Sequence, residues 1–192
     1  MRGKRLWQTL RLFLILNVEK RNKYLKEKKV FAAFGDGSMI MDRKIPLYAK
    51  LISIGNNVQV ASDVHFVTHD ITHVVLNNKL NELKKKERIN ETVGCIKIGN
   101  NVFIGSGTTI LGNVNIGSNV LIGACSLVNH DVPDGVVVGG VPAKYICSFD
   151  DFLEKRLSEN SYPNEMEPRG EEIPDELVKW CWSKFNRERK SE

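Results

Sequence analysis

Four cysteines in 192 residues, at positions 95, 125, 147 and 181, form no C-x-x-C pair and no spacing that would build a disulfide framework or a zinc site. That scarcity fits a reducing cytoplasm. Long apolar runs are missing too. The unbroken stretch in the opening segment, Leu12 to Leu16, is five residues, where about 20 would be needed to cross a bilayer. Arg2, Lys4 and Arg5 precede it in the manner of a secretory leader, yet Gln8 and Arg11 interrupt it and no A-x-A-like site follows. The expectation is therefore no export signal and no spanning helix.

What is present is enough for one sizeable core, with 42% hydrophobic residues, and one principal domain is expected. The net charge of +5 is unevenly placed: residues 1–30 hold ten Lys/Arg against Glu19 and Glu27, while residues 150–176 are mostly acidic. A basic end of this kind suits phosphate or an anionic membrane. No nucleic-acid partner is expected. Leu6, Leu10, Phe13, Leu14 and Val18 recur at three- and four-residue steps, which predicts an amphipathic helix over residues 5–28 within an N-terminal segment 1–30. Two readings of it stand open: a helix packed across the end of the main domain, or an interfacial membrane helix. Gly35 and Gly37 mark a turn, and Pro46 excludes helix through IPLYAK.

The dominant signal is a repeat. From position 98 a branched aliphatic returns every sixth place, at Ile98, Ile104, Ile110, Ile116, Ile122 and Val128. The fourth place after each is small or β-branched: Val102, Thr108, Val114, Val120, Ser126, Val132. An earlier copy reads IGNNV at 54–58, followed by Val60, Val64 and Phe66. A period of six fits neither an α-helix nor the two-residue alternation of a sandwich strand, and points to a parallel β-helix. Each hexad supplies one short strand and one corner, and three complete a turn. The aliphatic faces inward, the small residue fits where the prism narrows, and Gly and Asn serve the corners.

Between the two blocks, residues 71–93 lose the phase and are dense in charge, which predicts a protruding loop from one face. After the coils, a helix is expected to begin near Ser148 with Asp150 and Asp151 in its first turn. Pro163, Pro168 and Gly170 interrupt the chain, and IPDELVKWCWSKFNRER predicts a last amphipathic helix with Asp175 as N-cap. The organisation is thus an N-terminal helix, a β-helix domain over 31–147, and a helical extension over 148–192.

The segment IGNNVFIGSGTTILGNVNIGSNVLIGACSLVNHDVPDGVVVGGVPAKYI resembles the coenzyme-binding coils of the hexapeptide acyltransferases. The resemblance is to the branch with maltose, galactoside, xenobiotic and capsule O-acetyltransferases. VPDGVVVGGVPAK is its most specific element, and VHFVTHD resembles the place of the family's catalytic histidine. The match covers roughly residues 50–147. It implies a left-handed parallel β-helix, acetyl-CoA as co-substrate, no metal, and a threefold trimer with active sites between subunits. It further implies direct O-acetylation of a hydroxyl with His69 as general base, a role suited to imidazole near neutral pH. Backbone N–H groups at a coil corner would stabilise the oxyanion.

The other histidines have expected places. His65 caps a coil corner, His73 lies inside the loop, and His130 stands near the coenzyme phosphates. Asp70 follows His69 directly and on an extended chain points away from it, so the partner of His69 is unassigned. By resemblance Phe103, Gly105, Ser106, Gly123 and Ala124 line the pantetheine groove between coils, and Asn129, His130 and Lys144 the nucleotide end. The expected acceptor is a sugar or surface-polysaccharide precursor in the cytoplasm, with the inner membrane face as an open alternative. The alternatives are an antibiotic or other small alcohol, a zinc lyase like the γ-carbonic anhydrases, and a non-catalytic scaffold.

Overall fold

The computed structural model describes residues 2–159, 161–168, 170 and 172–189, so Met1 and residues 190–192 of the expected end segments lie outside the described residues. The chain divides into two compact units, Met1–Phe152 and Leu153–Glu192.

The first unit opens with two helices, α1 (Arg2–Leu14) and α2 (Val18–Glu27), where the periodicity predicted one. The break has a local cause. Asn17 accepts the Lys20 amide on its side chain and so starts a new helix. The Arg21 guanidinium, only 4% exposed, donates to the carbonyls of Ile15 and Leu16 in the linker and of Met41 in the coil.

The hexads then wind into a three-sided coil. Strands β1 (Ala33–Phe34) and β2 (Met39–Ile40) begin it, followed by β3 (Ile52–Ile54), β4 (Val58–Val60) and β5 (His65–Val67). A 3-10 turn, Ala49–Leu51, precedes β3. The excursion leaves through β6 (His69–Asp70), helix α3 (Thr72–Glu82) and β7 (Thr92–Val93). Winding resumes with β8 (Ile96–Ile98), β9 (Val102–Ile104), β10 (Thr109–Leu111), β11 (Val114–Ile116), β12 (Val120–Ile122), β13 (Leu127–Val128) and β14 (Val136–Gly139), and β15 (Lys144–Ser148) folds back antiparallel on β14. Three parallel sheets result: β1-β3-β8-β11, β2-β4-β9-β12-β14 and β5-β10-β13. The second carries β15 at its edge.

Burial follows the six-residue pattern. Ile98, Ile104, Ile110, Ile116, Ile122 and Val128 are all at most 2% exposed. The fourth-place residues are buried as well, and their hydroxyls are satisfied: Thr108 and Ser126 both donate to the Gly123 carbonyl. At the corner between the first and second sheets, Asn57, Asn101 and Asn119 hold positive φ and pass side-chain amide hydrogen bonds up the stack at 2.9 and 3.0 Å. Beside them Gly55 is obligatory, since a Cβ there would meet the Gly99 carbonyl oxygen at 2.2 Å. FGDGS, read from sequence as a turn, is the same corner in the opening half-coil. Gly35 stacks on Gly55 in turn.

Helix α4 (Phe149–Ser158) begins where expected, with the Ser148 hydroxyl accepting the Asp151 amide, and straddles the unit boundary. In the second unit α5 (Asp175–Glu188) starts one residue earlier than anticipated. Pro174 is its N-cap, and Asp175 sits in the first turn without capping. Tyr162 packs edge-on against Trp180 there.

Candidate active site

His69 stands where the coil breaks open at the corner between the third and first sheets. Its backbone is held by the β6–β7 ladder, in which it faces Val93. Thr68, fully buried just before it, fixes the exit by donating its hydroxyl to the Leu47 carbonyl at 2.9 Å. The imidazole meets the Tyr48 ring edge-on, centroids 5.2 Å apart. Tyr48 in turn directs its hydroxyl to Glu91 at 3.2 Å, and the Glu91 charge raises the phenol's pKa. His69 borders a cleft of about 210 Å³ lined also by Asp70, Thr92, Gly94, Gly112 and Asn113, among others.

His69 Nδ1 is enclosed and has no hydrogen-bond partner among the described residues. Asp70 does not serve it. Its carboxylate takes the Thr72 hydroxyl at 2.5 Å and the Thr72 amide at 2.9 Å, fixing the start of α3. The Thr72 hydroxyl, then its amide, holds the Asp70 pKa below the ordinary carboxylate value, with His73 and His69 adding to the effect. His73 lies in the first turn of α3, its Nδ1 likewise enclosed and unpaired. The protruding segment is therefore partly helical where an irregular loop was expected. His65 is not at a corner: it lies within β5, exposed, opposite Thr109.

The residues expected around the coenzyme fall into two groups. Phe103, 45% exposed, lies on the outer face of the second sheet in a column with Gln59, Leu121 and Val137. Gly105, Ser106, Gly123 and Ala124 form the adjoining corner, and Lys144 comes opposite Gly139 at the same edge. Successive turns are sealed here, Gly105 N–H to Ile122 at 2.9 Å and Cys125 N–H to Ser106 at 2.8 Å. No gap between coils remains, and a ligand has only the outer side of the corner. Gly105 is required by packing, because a Cβ would lie 2.5 Å from the Ala124 nitrogen. Gly123 is not, since its nearest neighbour would be 3.6 Å away. No acceptor among the described residues takes the amide N–H of Ser106 or Ala124.

Asn129 and His130, hydrogen-bonded to each other at 2.8 Å, belong instead to the corner that bears His69, two turns along. Within one chain the two groups are separated by the width of the third sheet, about 10 Å for three residues of strand. Among the described residues, no three His, Cys, Asp or Glu side chains converge to hold a metal ion, and no helix is long and apolar enough to cross a membrane. Sequence reasoning missed Tyr48 and Glu91. The positive φ of Tyr48 is unreadable from sequence; Tyr48 reaches His69, and Glu91 reaches Tyr48, only through folding.

The chain is similar to known proteins. A family model described as bacterial transferase hexapeptide (six repeats) matches residues 95–130. Protein CapG of Staphylococcus aureus is 44% identical over 116 residues, 60% of this chain and 63% of CapG. The chain thus spans under two thirds of that relative's length. Galactoside O-acetyltransferase of Escherichia coli K12 is 32% identical over 166 residues, 79% of each chain. Among solved structures, a maltose O-acetyltransferase from Clostridium difficile 630 superposes with a TM-score of 0.58 at 26% identity, covering 77% of this chain and 85% of that one. Breadth of identity to the galactoside enzyme, joined to the hexad coil and the histidine at its break, places this chain in the hexapeptide-repeat acyltransferase family, in the branch of the maltose and galactoside O-acetyltransferases.

Proposed function

We propose that the protein transfers the acetyl group of acetyl-CoA to a hydroxyl of a sugar or surface-polysaccharide precursor, with His69 as general base. The observation that carries the reading is the setting of His69: an imidazole held by a strand ladder and an aromatic edge, opening on a cleft where the excursion interrupts the coil. His69 takes the proton of the acceptor hydroxyl as its oxygen attacks the thioester carbonyl. The tetrahedral intermediate then expels the coenzyme thiolate, which recovers the proton from the imidazolium. The carbon–oxygen bond forms, the carbon–sulfur bond breaks, and no covalent enzyme intermediate is needed. The unengaged Ser106 amide is suited to receive the oxyanion.

In this reading acetyl-CoA lies along the outer side of the Gly105–Ser106 and Gly123–Ala124 corner, where Gly123 is small without a packing reason. Phe103 flanks it, and Lys144, Asn129 and His130 meet its phosphates. Since one chain keeps that corner about 10 Å from His69, the site is completed between subunits of a threefold trimer of left-handed β-helices. Apolar residues of the excursion support this assembly: Ile71, Val75, Leu83 and Val93 are all more than half exposed in the single chain. A neighbour would cover them and supply the missing partner of His69 Nδ1. The saccharide acceptor follows the two O-acetyltransferases named above.

The test is a thiol-release assay with acetyl-CoA over nucleotide sugars, oligosaccharides, chloramphenicol and streptogramin, beside sedimentation of the protein. Saccharide-dependent release by a particle of three chains is expected. Turnover of the antibiotics alone, or a monomer at micromolar concentration, would overturn the reading.

A further inference from the structure

The N-terminal helix is docked with its apolar side outward. At 100° per residue, Phe13, Leu6, Leu10, Leu14 and Trp7 fall within an arc of about 120°, and they are 53, 61, 48, 83 and 69% exposed. The helix is anchored on its other side by Leu12, 1% exposed, and by Arg43, which donates to the Phe13 carbonyl. The packing is thus the opposite of the one the amphipathic pattern suggests for a helix laid across a core. Leu16, 80% exposed, extends the apolar surface past the end of α1.

Charge indicates what covers this face. Helix α1 contains Arg2, Lys4, Arg5 and Arg11 and no acidic residue. Lys4 and Arg11 lie one helical step from Trp7, at the border of the stripe. Exposed Lys20, Lys28 and Lys29 follow in and just after α2. An apolar arc edged by a tryptophan and cations is the pattern of a helix lying in the headgroup region of an anionic bilayer, with apolar side chains among the acyl chains and cations at the phosphates. Pairing two copies of α1 through this face would set its cations against one another with no acid in the helix to offset them.

We propose that α1 is a membrane-surface anchor that binds lipid bilayers bearing anionic phosphate headgroups. The helix is also close to the reaction site. A groove of about 400 Å³ beneath it is lined by Arg5 and Gln8 on one side and by Tyr48 and Val93, the two residues that meet His69, on the other. Docking therefore holds the His69 cleft on the far side of α1, one helix diameter or about 10 Å from the bilayer, near where a membrane-attached glycan precursor would present its hydroxyl. Only this last consequence rests on the proposed acetyl transfer; binding is measured without it.

The experiment is flotation of the full chain with vesicles of phosphatidylcholine alone or with about one third phosphatidylglycerol. Association with the anionic vesicles is expected, weakening as salt rises from about 50 to 500 mM. A blue shift of tryptophan emission should accompany it in the wild type and vanish in Trp7→Phe. The double variant Leu10→Glu/Phe13→Glu should lose about tenfold or more in partitioning while keeping the wild-type sedimentation mass and melting temperature. The salt and fluorescence arms use a protein whose fold is untouched. Absence of wild-type flotation, or full retention of binding by the double variant, overturns the proposal. So does a fall in assembly mass in that variant, which would make the face a contact between subunits.

Discussion

Residues 96–132 and residues 69–93 come from one chain and obey opposite rules. In the coil, each sixth residue is buried to within 2%, and the corner between the first and second sheets is tied from turn to turn by Asn, Ser and Asp side chains. In the excursion no residue is fully buried, and helix α3 covers only one side, with His73, Asn77 and Leu80 half-buried. The coil is a self-sufficient scaffold whose nearest-neighbour stacking supplies stability. The excursion gains nothing from its own packing and instead sets His69 at the mouth of a cleft. On the proposed role of His69, stability and chemistry are separated along the sequence, and substitutions should separate them too.

The largest effect on folding is expected from Ile110→Ala, which empties a fully buried position and should cost about 2–5 kcal/mol in denaturant unfolding. Gly55→Ala drives a methyl into the Gly99 carbonyl and should cost about 1–3 kcal/mol, again with the turnover of the remaining folded protein unchanged. Smaller and confined to the excursion is the effect of Asp70→Asn. The folded-state pKa of Asp70 is depressed, so its contribution to α3 is present above the ordinary carboxylate range and lost as pH falls below about 4. Hydrogen exchange of the α3 amides should lose that acid limb in the variant, while exchange in the coil stays the same.

The same contrast explains what could be read from sequence. Hexad periodicity is local, so the positions of Ile98 to Val128, the coil and the point of its interruption were legible, and Ser148 announced α4. Contacts that depend on stacking were not: Tyr48 meets His69 across 21 residues only because one turn lies on the next. The split of the first helix had a readable signal in Asn17, masked by the continuous apolar spacing from Leu6 to Val18. Periodicity showed that α1 has an apolar face, but a pattern within a helix carries no information about which side its own subunit occupies. The two groups of residues expected around the coenzyme likewise look contiguous in sequence and prove to be at different corners, because one side of the prism, strand β13, intervenes.

The central claim is that His69 performs the chemistry while the coil carries the fold. It is tested most directly by measuring acetyl transfer and thermal unfolding on one preparation of His69→Ala. The account predicts a fall in kcat of roughly 10²- to 10⁴-fold with a melting temperature and assembly mass equal to wild type. Full turnover in that variant would contradict it, and so would a loss of activity that merely tracks a loss of folded protein.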